Sequence, residues 1–513
     1  MSSARQIAAR RGALTLAALM VCGGLSSCTV GPRFQPPHEP VAENYAGPGA
    51  APSAGEPRAS AEAEPDAFWW RQFHDAKLED LERRAAEGNL DLKSAYLRLV
   101  EARLQVLAAR AQGLPNLNAS AAFTREQLGL AGVLKSQGIT SNGTLSTSTD
   151  QLIRGIEAPV NLYQLGFDAS WELDLFGRVR RSVEAAEAES AGALESRNDL
   201  LVSLEAEVAQ DYFQLRGGQM LREAALGLIA AQREVLDLTT DRRKHGLAGD
   251  ADVDSARGQL ASLESQLPTD DQTIASARHA LAVLLGVAPE SFDEDFAGPA
   301  VLPALPATIP VGVPSTLARR RPDIRAAEDS LHQATAEIGV AVAALFPDIS
   351  LTGTYGLRNT GTRYLFDWSS NFYTYGPKIS IPIFHAGALV SSVRLARATA
   401  AAAAFSYRKT VLSALQEVED GLSQLHTDAE RTHKLDESLA DEQAALDVDL
   451  DGYRHGILSY LQILQFQIQV TQARLQLVQA ELTQSGDLVK LFKALGGGWE
   501  EAPNSGYATA AIP

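Results

Sequence analysis

Tyr163–Arg178 reads YQLGFDASWELDLFGR. Tyr163, Leu165, Phe167, Ala169, Trp171 and Leu173 take the odd positions; Gln164, Gly166, Asp168, Ser170, Glu172 and Asp174 take the even ones. A period of two predicts a strand with one apolar and one wet face. At Gly177 the alternation stops and an Ala/Glu/Arg-rich run begins at helical spacing. A strand of membrane-spanning length therefore feeds a long helix. The same transition recurs at Tyr373–Gly387, YTYGPKISIPIFHAG, where Tyr373, Tyr375, Ile379, Ile381 and Ile383 alternate with Thr374, Gly376, Lys378, Ser380 and Pro382.

Outward from these stretches the chain reads as two copies of one plan. In the first (76–296), helical periodicity starts near Leu78, pauses at Gly88-Asn89 and ends at Gly113-Leu114-Pro115. A strand over 115–125 follows, then a Gly/Ser/Thr-rich loop over 126–162, then the strand over 163–174. A helical hairpin over 178–286 closes the copy, turning at His245-Gly246-Leu247-Ala248-Gly249, with a nick at Pro268. Its first arm alone would span roughly 100 Å at 1.5 Å per residue. After a Pro-rich linker (297–314), the second copy (315–500) repeats the order with strands over 347–357 and 373–384 and a hairpin over 388–495. Pro347 follows Pro115, and Asp323 follows Asp91, by 232 positions; Gly387, Gly456 and Gly496 follow Gly177, Gly246 and Gly286 by 210. The difference of 22 belongs to the longer first loop. Leu194, Leu201, Val208 and Leu215 form a seven-residue stripe that Ala404, Val411, Val418 and Leu425 repeat 210 positions on, the mark of a coiled-coil-like seam.

The 513 residues carry a net charge of −18, which argues against a nucleic-acid partner. Residues 1–27 read as a secretory signal: Arg5, Arg10 and Arg11 precede an apolar run, Ala13–Leu25, too short to span a bilayer as a stable helix. Its loss takes the charge down by three, to −21. Leu25-Ser26-Ser27-Cys28 resembles the lipobox of bacterial lipoproteins, so Cys28 is the expected site of a covalent lipid. Thr29, rather than Asp, favours the outer membrane by resemblance to lipoprotein sorting. The mature chain keeps one Cys and so forms no internal disulfide. Residues 28–75 read as a lipid-anchored N-terminal linker, with Phe68, Trp69, Trp70 and Phe73 as a packed aromatic anchor, and 501–513 as a flexible tail.

After Leu25 no run approaches the roughly 20 apolar residues of a transmembrane helix, so any crossing must be β. Four strands of about ten residues match a bilayer when tilted. They cannot close a barrel alone, and an open edge is not viable in lipid. The chain must therefore assemble with copies of itself: two give eight strands, three give twelve, and the pattern does not choose. The polar strand face would line water. The fold class expected is mixed α and membrane β, internally duplicated, with helices packed along their seams into a tube that continues the barrel.

WWRQFHDAKLEDLERRA (69–85), GLPNLNAS (113–120), WELDLFGRVRRSVEAAEA (171–188), RRPDIRAAE (320–328), FPDISLTGTYG (346–356) and GPKISIPIFHAG (376–387) are similar to the outer membrane efflux protein family. The chain resembles the lipoprotein branch of its TolC-like members, whose mature start Cys28-Thr29-Val30-Gly31-Pro32 also matches. The resemblance implies a homotrimer, with a twelve-stranded outer membrane barrel and a periplasmic helical barrel. Its role would be the passive exit duct of a tripartite efflux pump for drugs or other small molecules. The implied partners are a periplasmic adaptor and an inner-membrane resistance–nodulation–division transporter. The other readings are the outer membrane duct of an ATP-driven type I secretion system and a periplasmic coiled-coil scaffold, which would have no use for four membrane-length strands.

Motifs for catalysis or a cofactor are lacking: there is no HExxH, GxSxG or P-loop, so no enzyme activity, no metal and no cofactor beyond the lipid on Cys28 is expected. His426 and His433, seven apart, read as ordinary helix positions. The mechanism should sit at the two helical turns, where His245, Gly246, Leu247, His455, Gly456 and Ile457 would form the periplasmic tip. By resemblance, adaptor hairpins dock there and the tunnel closes just above. The apolar gate position, five after the second turn glycine, is Leu461; the acidic position nine after it is Gln465, a departure; the acid six after the first glycine is Asp252. Leu461 is expected to close the resting tube, with Asp252, Tyr453 and Arg454 holding the tip shut.

Overall fold

The computed structural model describes residues 29–37, 40, 42–46, 58–60, 66–127, 159–292, 296, 300–455 and 457–499. Cys28, Gly456, the signal segment 1–27, the tail and most of the first strand-joining loop lie outside the described residues. The chain forms two compact units, each assembled from three stretches of both repeats: 1–35, 103–188 and 332–401 in the first, 36–102, 189–331 and 402–513 in the second.

The first unit is built on a sheet of four strands, β2 (Asn116–Glu126), β3 (Val160–Glu172), β5 (Asp348–Asn359) and β6 (Asn371–Ser380). Their order is β2-β3-β5-β6, antiparallel throughout. Register follows the alternation: Ala119 pairs with Phe167, Phe167 with Tyr355 and Tyr355 with Tyr373, all on one face. The other face is polar. There Asp168 accepts from Ser120 Oγ and Thr354 Oγ1 at 3.1 Å each, and Arg358 Nη2 donates to Gln164 at 2.9 Å. Large apolar side chains such as Leu117, Phe123, Phe167, Tyr373, Tyr375 and Ile379 stay exposed, as a membrane face requires. β6 stops at Ser380, short of the expected 384, although Ile381 and Ile383 continue the alternation. Pro382 cannot donate to the ladder, so pairing ends before it.

At the end of β3 the chain makes a sharp corner. Gly177 takes φ +83° and its counterpart Gly387 φ +84°, so the repeat extends to backbone geometry. Asp174 caps the new helix, accepting from the N–H groups of Val179 and Arg180 at 3.1 and 2.9 Å. The segment after position 28 is clasped onto this corner. Val30 N–H donates to Phe176 O at 3.2 Å, and the buried Arg181 donates to the carbonyls of Val30 and Gly31 at 3.3 and 3.4 Å. A Cβ on Gly31, which has φ +92°, would lie 2.6 Å from Gly339 Cα. Phe34 stacks on His332 with ring centroids 4.3 Å apart.

The second unit is helical. The helices that lie in it wholly or in part are α1 (Ala76–Gly88), α2 (Leu90–Ala111), α3 (Arg178–Lys244), α4 (Asp250–Glu264), α5 (Leu267–Leu284), α6 (Pro314–Arg320), α7 (Pro322–Ala343), α8 (Ala388–Arg454) and α9 (Tyr460–Ala494). The break between α4 and α5 falls at Ser265-Gln266, beside Pro268. Leu201, Val208 and Leu215 of one seam and Val411, Val418 and Leu425 of the other are buried in one core, with Trp69, Phe73 and Phe492. The first members of both stripes, Leu194 and Ala404, are exposed, so each seam is covered only along its later turns. Two segments read as linker pair with each other: β1 (Arg58–Ser60) lies parallel to β4 (Thr308–Pro310). By length and composition alone α8 passes as a membrane span, because Ala400–Ala404 raises its mean hydropathy. Arg394 and Arg397 interrupt its apolar start, and its length is several times a bilayer's thickness.

The repeat reaches down to single hydrogen bonds. Asn89 Nδ2 donates to Leu284 O at 3.0 Å; at the matching place in the second repeat, Arg321 Nη1 donates to Ala494 O at 3.0 Å. The glycines that end α5 and α9, Gly286 and Gly496, take φ +72° and +69° and press on these donor segments. A Cβ on Gly286 would lie 2.4 Å from Gly88 O.

Candidate gating site at the helical tip

Both helical turns lie in the second unit and are built alike. In the first, Gly246 (φ +71°) lets the chain leave α3, and Leu247 N–H donates back to Arg242 O at 2.8 Å. In the second, Ile457 N–H donates to Gly452 O at 2.9 Å, 210 positions on. Each return helix opens with its third residue reaching back to the N-cap N–H, and in the second turn Ser459 Oγ also accepts from Gln462 N–H at 3.4 Å. Gly249 N–H donates to Asp252 Oδ2 at 2.8 Å, and Ser459 N–H to Gln462 Oε1 at 3.0 Å. Asp252 is thus engaged as a capping acid within its own turn.

Each tip histidine stands on the helix end behind it: His245 Nδ1 is 2.9 Å from Asp241 O, and His455 Nδ1 2.9 Å from Asp451 O. Arg243 pairs with Asp250 across the first turn. The foremost side chains are apolar: Leu247 is 69% and Ile457 78% exposed. Two bulky aliphatic groups at equivalent turn positions, held open to water, are what a partner surface would cover.

Behind the turns, Ile463 and Leu464 are buried while Leu461 is half-buried and Gln465 exposed. Leu461 and Gln465 are four apart and so lie on the same side of the helix. Tyr453 and Arg454 are exposed at the end of α8. Tyr453 lies against Tyr460 with ring centroids 5.6 Å apart. Tyr460, which sequence reasoning missed, makes the link between hairpins: its hydroxyl donates to Glu234 Oε2 at 2.5 Å. That bond to the carboxylate raises the Tyr460 pKa from its ordinary value. The partners are 226 residues apart, and nothing local to either announces the contact. Away from the tip, His433 pairs with Glu437 at 3.1 Å within its own helix; among the described residues no group of three or more His, Cys, Asp and Glu is placed to hold a metal ion.

Residues 81–287 and 313–497 match the outer membrane efflux protein family, one segment in each repeat. This chain belongs to that family. It is 32% identical over 492 residues to the toluene efflux pump outer membrane protein TtgC of Pseudomonas putida, covering 95% of this chain and 96% of that protein. It is 30% identical over 489 residues to nodulation protein T of Rhizobium leguminosarum bv. trifolii, covering 94% and 97%. Among solved structures, the outer-membrane channel OprN superposes with a TM-score of 0.79 at 32% identity, over 92% of this chain and all of that one. The open state of the Neisseria gonorrhoeae MtrE outer membrane channel gives 0.76 at 28%, over 92% and 99%. As an outer membrane efflux protein, the chain is an efflux channel of the outer membrane that extends into the periplasm, and its family is one of ducts rather than enzymes.

Gln465 carries no fixed charge. Gln465→Asp is therefore expected to raise cation over anion selectivity in single-channel reversal potentials; an unchanged reversal potential would remove Gln465 from the conducting path.

Proposed function

We propose that the chain is a lipid-anchored, trimeric exit duct that passes drugs or other small molecules passively from a tripartite pump to the exterior. The observation that carries this is the four-stranded sheet. Among the described residues β2 and β6 are bonded on one side only, and the sheet's apolar face is exposed. Such edges cannot persist in lipid, so copies must join edge to edge. Eight strands leave an interior just wide enough for side chains to fill. A polar face bearing Asp168, Gln164, Arg358 and Lys378 needs room for water, which favours three copies and twelve strands. Exposed Leu90, Leu97, Leu104 and Leu107 on α2, with Leu395, Phe405 and Leu412 on α8, supply the helical surface that neighbouring copies would cover.

Leu247 and Ile457 would receive a periplasmic adaptor, which in turn holds an inner-membrane transporter of the resistance–nodulation–division type. Opening would follow when the adaptor spreads the turns and releases Tyr460 from Glu234. The transporter chooses the cargo, because a wide wet duct recognises little. Cys28 would carry the acyl chains, and the next residue, Thr29, packs at the strand–helix corner against Gly177. Crosslinking in intact outer membranes, followed by mass spectrometry, tests the assembly. A trimer with an adaptor and such a transporter is expected, its subunit lacking residues 1–27 and carrying acyl mass on Cys28. Recovery of a dimer, or of an ATP-binding exporter in place of that transporter, would overturn the reading.

A further inference from the structure

The loop that joins β5 to β6 is built to present two aromatic rings. Asn359 Nδ2 donates to Ser370 Oγ at 2.7 Å, and Ser370 Oγ donates to Tyr364 O at 2.6 Å. Asn359 Oδ1 also accepts from Gly361 N–H at 3.0 Å, and Leu365 is buried beneath. On this fixed frame Phe366 is 76% and Trp368 78% exposed. Both line a groove of about 560 Å³ whose floor is the sheet's apolar face, including Ala121, Leu165, Phe167 and Leu357. Ser120 and Tyr355 also line it, and the floor lies on the strand face that meets lipid in an outer membrane channel.

Direction along the strands follows from connectivity. β5 is entered from α7 and β6 leads into α8, so the loop lies at the strand ends away from the helices. With the helices in the periplasm, Phe366 and Trp368 stand at the outer leaflet. Large aromatics at that depth suit the boundary between headgroup and chain. Arg363, exposed on the same loop with its guanidinium 5.4 Å from the Tyr364 ring centroid, adds a cation at headgroup level.

We propose that this groove holds one acyl chain of lipid A, the phosphorylated glycolipid of the outer leaflet, with Arg363 on its phosphate. The assignment rests on the outer membrane reading of the sheet. It commits to lipid A because a saturated chain below an acidic phosphate matches an apolar groove capped by Phe366 and Trp368 on a loop that also carries the exposed Arg363. The aromatic pair would fix the barrel's depth and rotation against its most ordered neighbours.

Native mass spectrometry of the purified, delipidated oligomer tests this, with purified lipid A or phosphatidylethanolamine added. The parent is expected to retain lipid A under activation that strips phosphatidylethanolamine. Phe366→Ala/Trp368→Ala should lower the retained fraction at least ten-fold, and Arg363→Ala should lower it several-fold with the oligomer intact. Equal retention by parent and variants, equal retention of the two lipids, or no retention by an intact parent oligomer would each overturn the proposal while leaving the duct reading in place. Should the double variant fail to assemble, the exposed Arg363→Ala alone decides.

Discussion

Arg321→Ala is expected to cost about 3 kcal/mol of stability, the low end of the range for breaking a buried charge pair because one partner is half exposed. The side chain is 10% exposed and reaches Asp323 at 2.7 Å and Glu417 at 2.6 Å. It also donates to Ala494 O at 3.0 Å, while Gly496 packs against its stem. Burial lowers its pKa, but the hydrogen bonds and charges of Asp323 and Glu417 together raise it by more. Removing the guanidinium leaves Asp323, Glu417 and nearby Asp199 without their cation, and leaves a carbonyl unpaired. Asp199 is already raised by burial, with Arg321 opposing that rise. In the variant its folded pKa would climb further. A carboxyl whose folded pKa is raised contributes stability below its unfolded value and loses it as pH rises through the folded one. The deficit should therefore be large at pH 7.5 and shrink towards pH 4.5. Urea midpoints at both pH values test this, and a deficit independent of pH would reject the charge argument. Asn89→Ala removes the same contact from the first repeat together with the cap that Asn89 Oδ1 gives Leu92 N–H at 2.9 Å, both neutral, so about 2 kcal/mol is expected there, with no dependence on pH.

That pair of contacts also marks where sequence reading stops. The 210- and 232-residue offsets were legible because glycines, prolines and apolar stripes punctuate both halves alike. Alternation from Tyr163 to Trp171 carried the membrane sheet, since a period of two is a local property of the chain. What joined Asn89 to Leu284, or Arg321 to Ala494, was not local: donor and acceptor are 195 and 173 residues apart and differ in chemistry between repeats. The pairing of Arg58–Ser60 with Thr308–Pro310 was hidden for a further reason. Three residues on each side are too few to show a period, so both read as linker. At the tip, resemblance singled out Leu461 and Asp252 by their distance from a glycine. It could not see that Asp252 spends its carboxylate on Gly249, or that a tyrosine one position before Leu461 reaches the other hairpin.

That tyrosine gives the second large effect. Tyr460→Phe is expected to raise the open probability of the channel about a hundred-fold in planar bilayers at zero applied voltage. A hydroxyl donating to a carboxylate contributes ~1.5–3 kcal/mol when sheltered, and about 1 kcal/mol is the discounted figure for this exposed pair. Over the three copies of the proposed trimer this sums to about 3 kcal/mol, which is roughly two decades in a closed–open ratio. Two variants separate this latch from its surroundings. Tyr453→Phe keeps the ring that packs on Tyr460 and should stay within two-fold of the parent. If Leu461 forms the constriction that the resemblance implies, Leu461→Ala should raise the conductance of the open level more than the time spent there. If Tyr460→Phe opened no more often than the parent while Tyr453→Phe did, the hold on the tip would belong to Tyr453. If Leu461→Ala left the open conductance unchanged, the narrowest ring would lie elsewhere along α9.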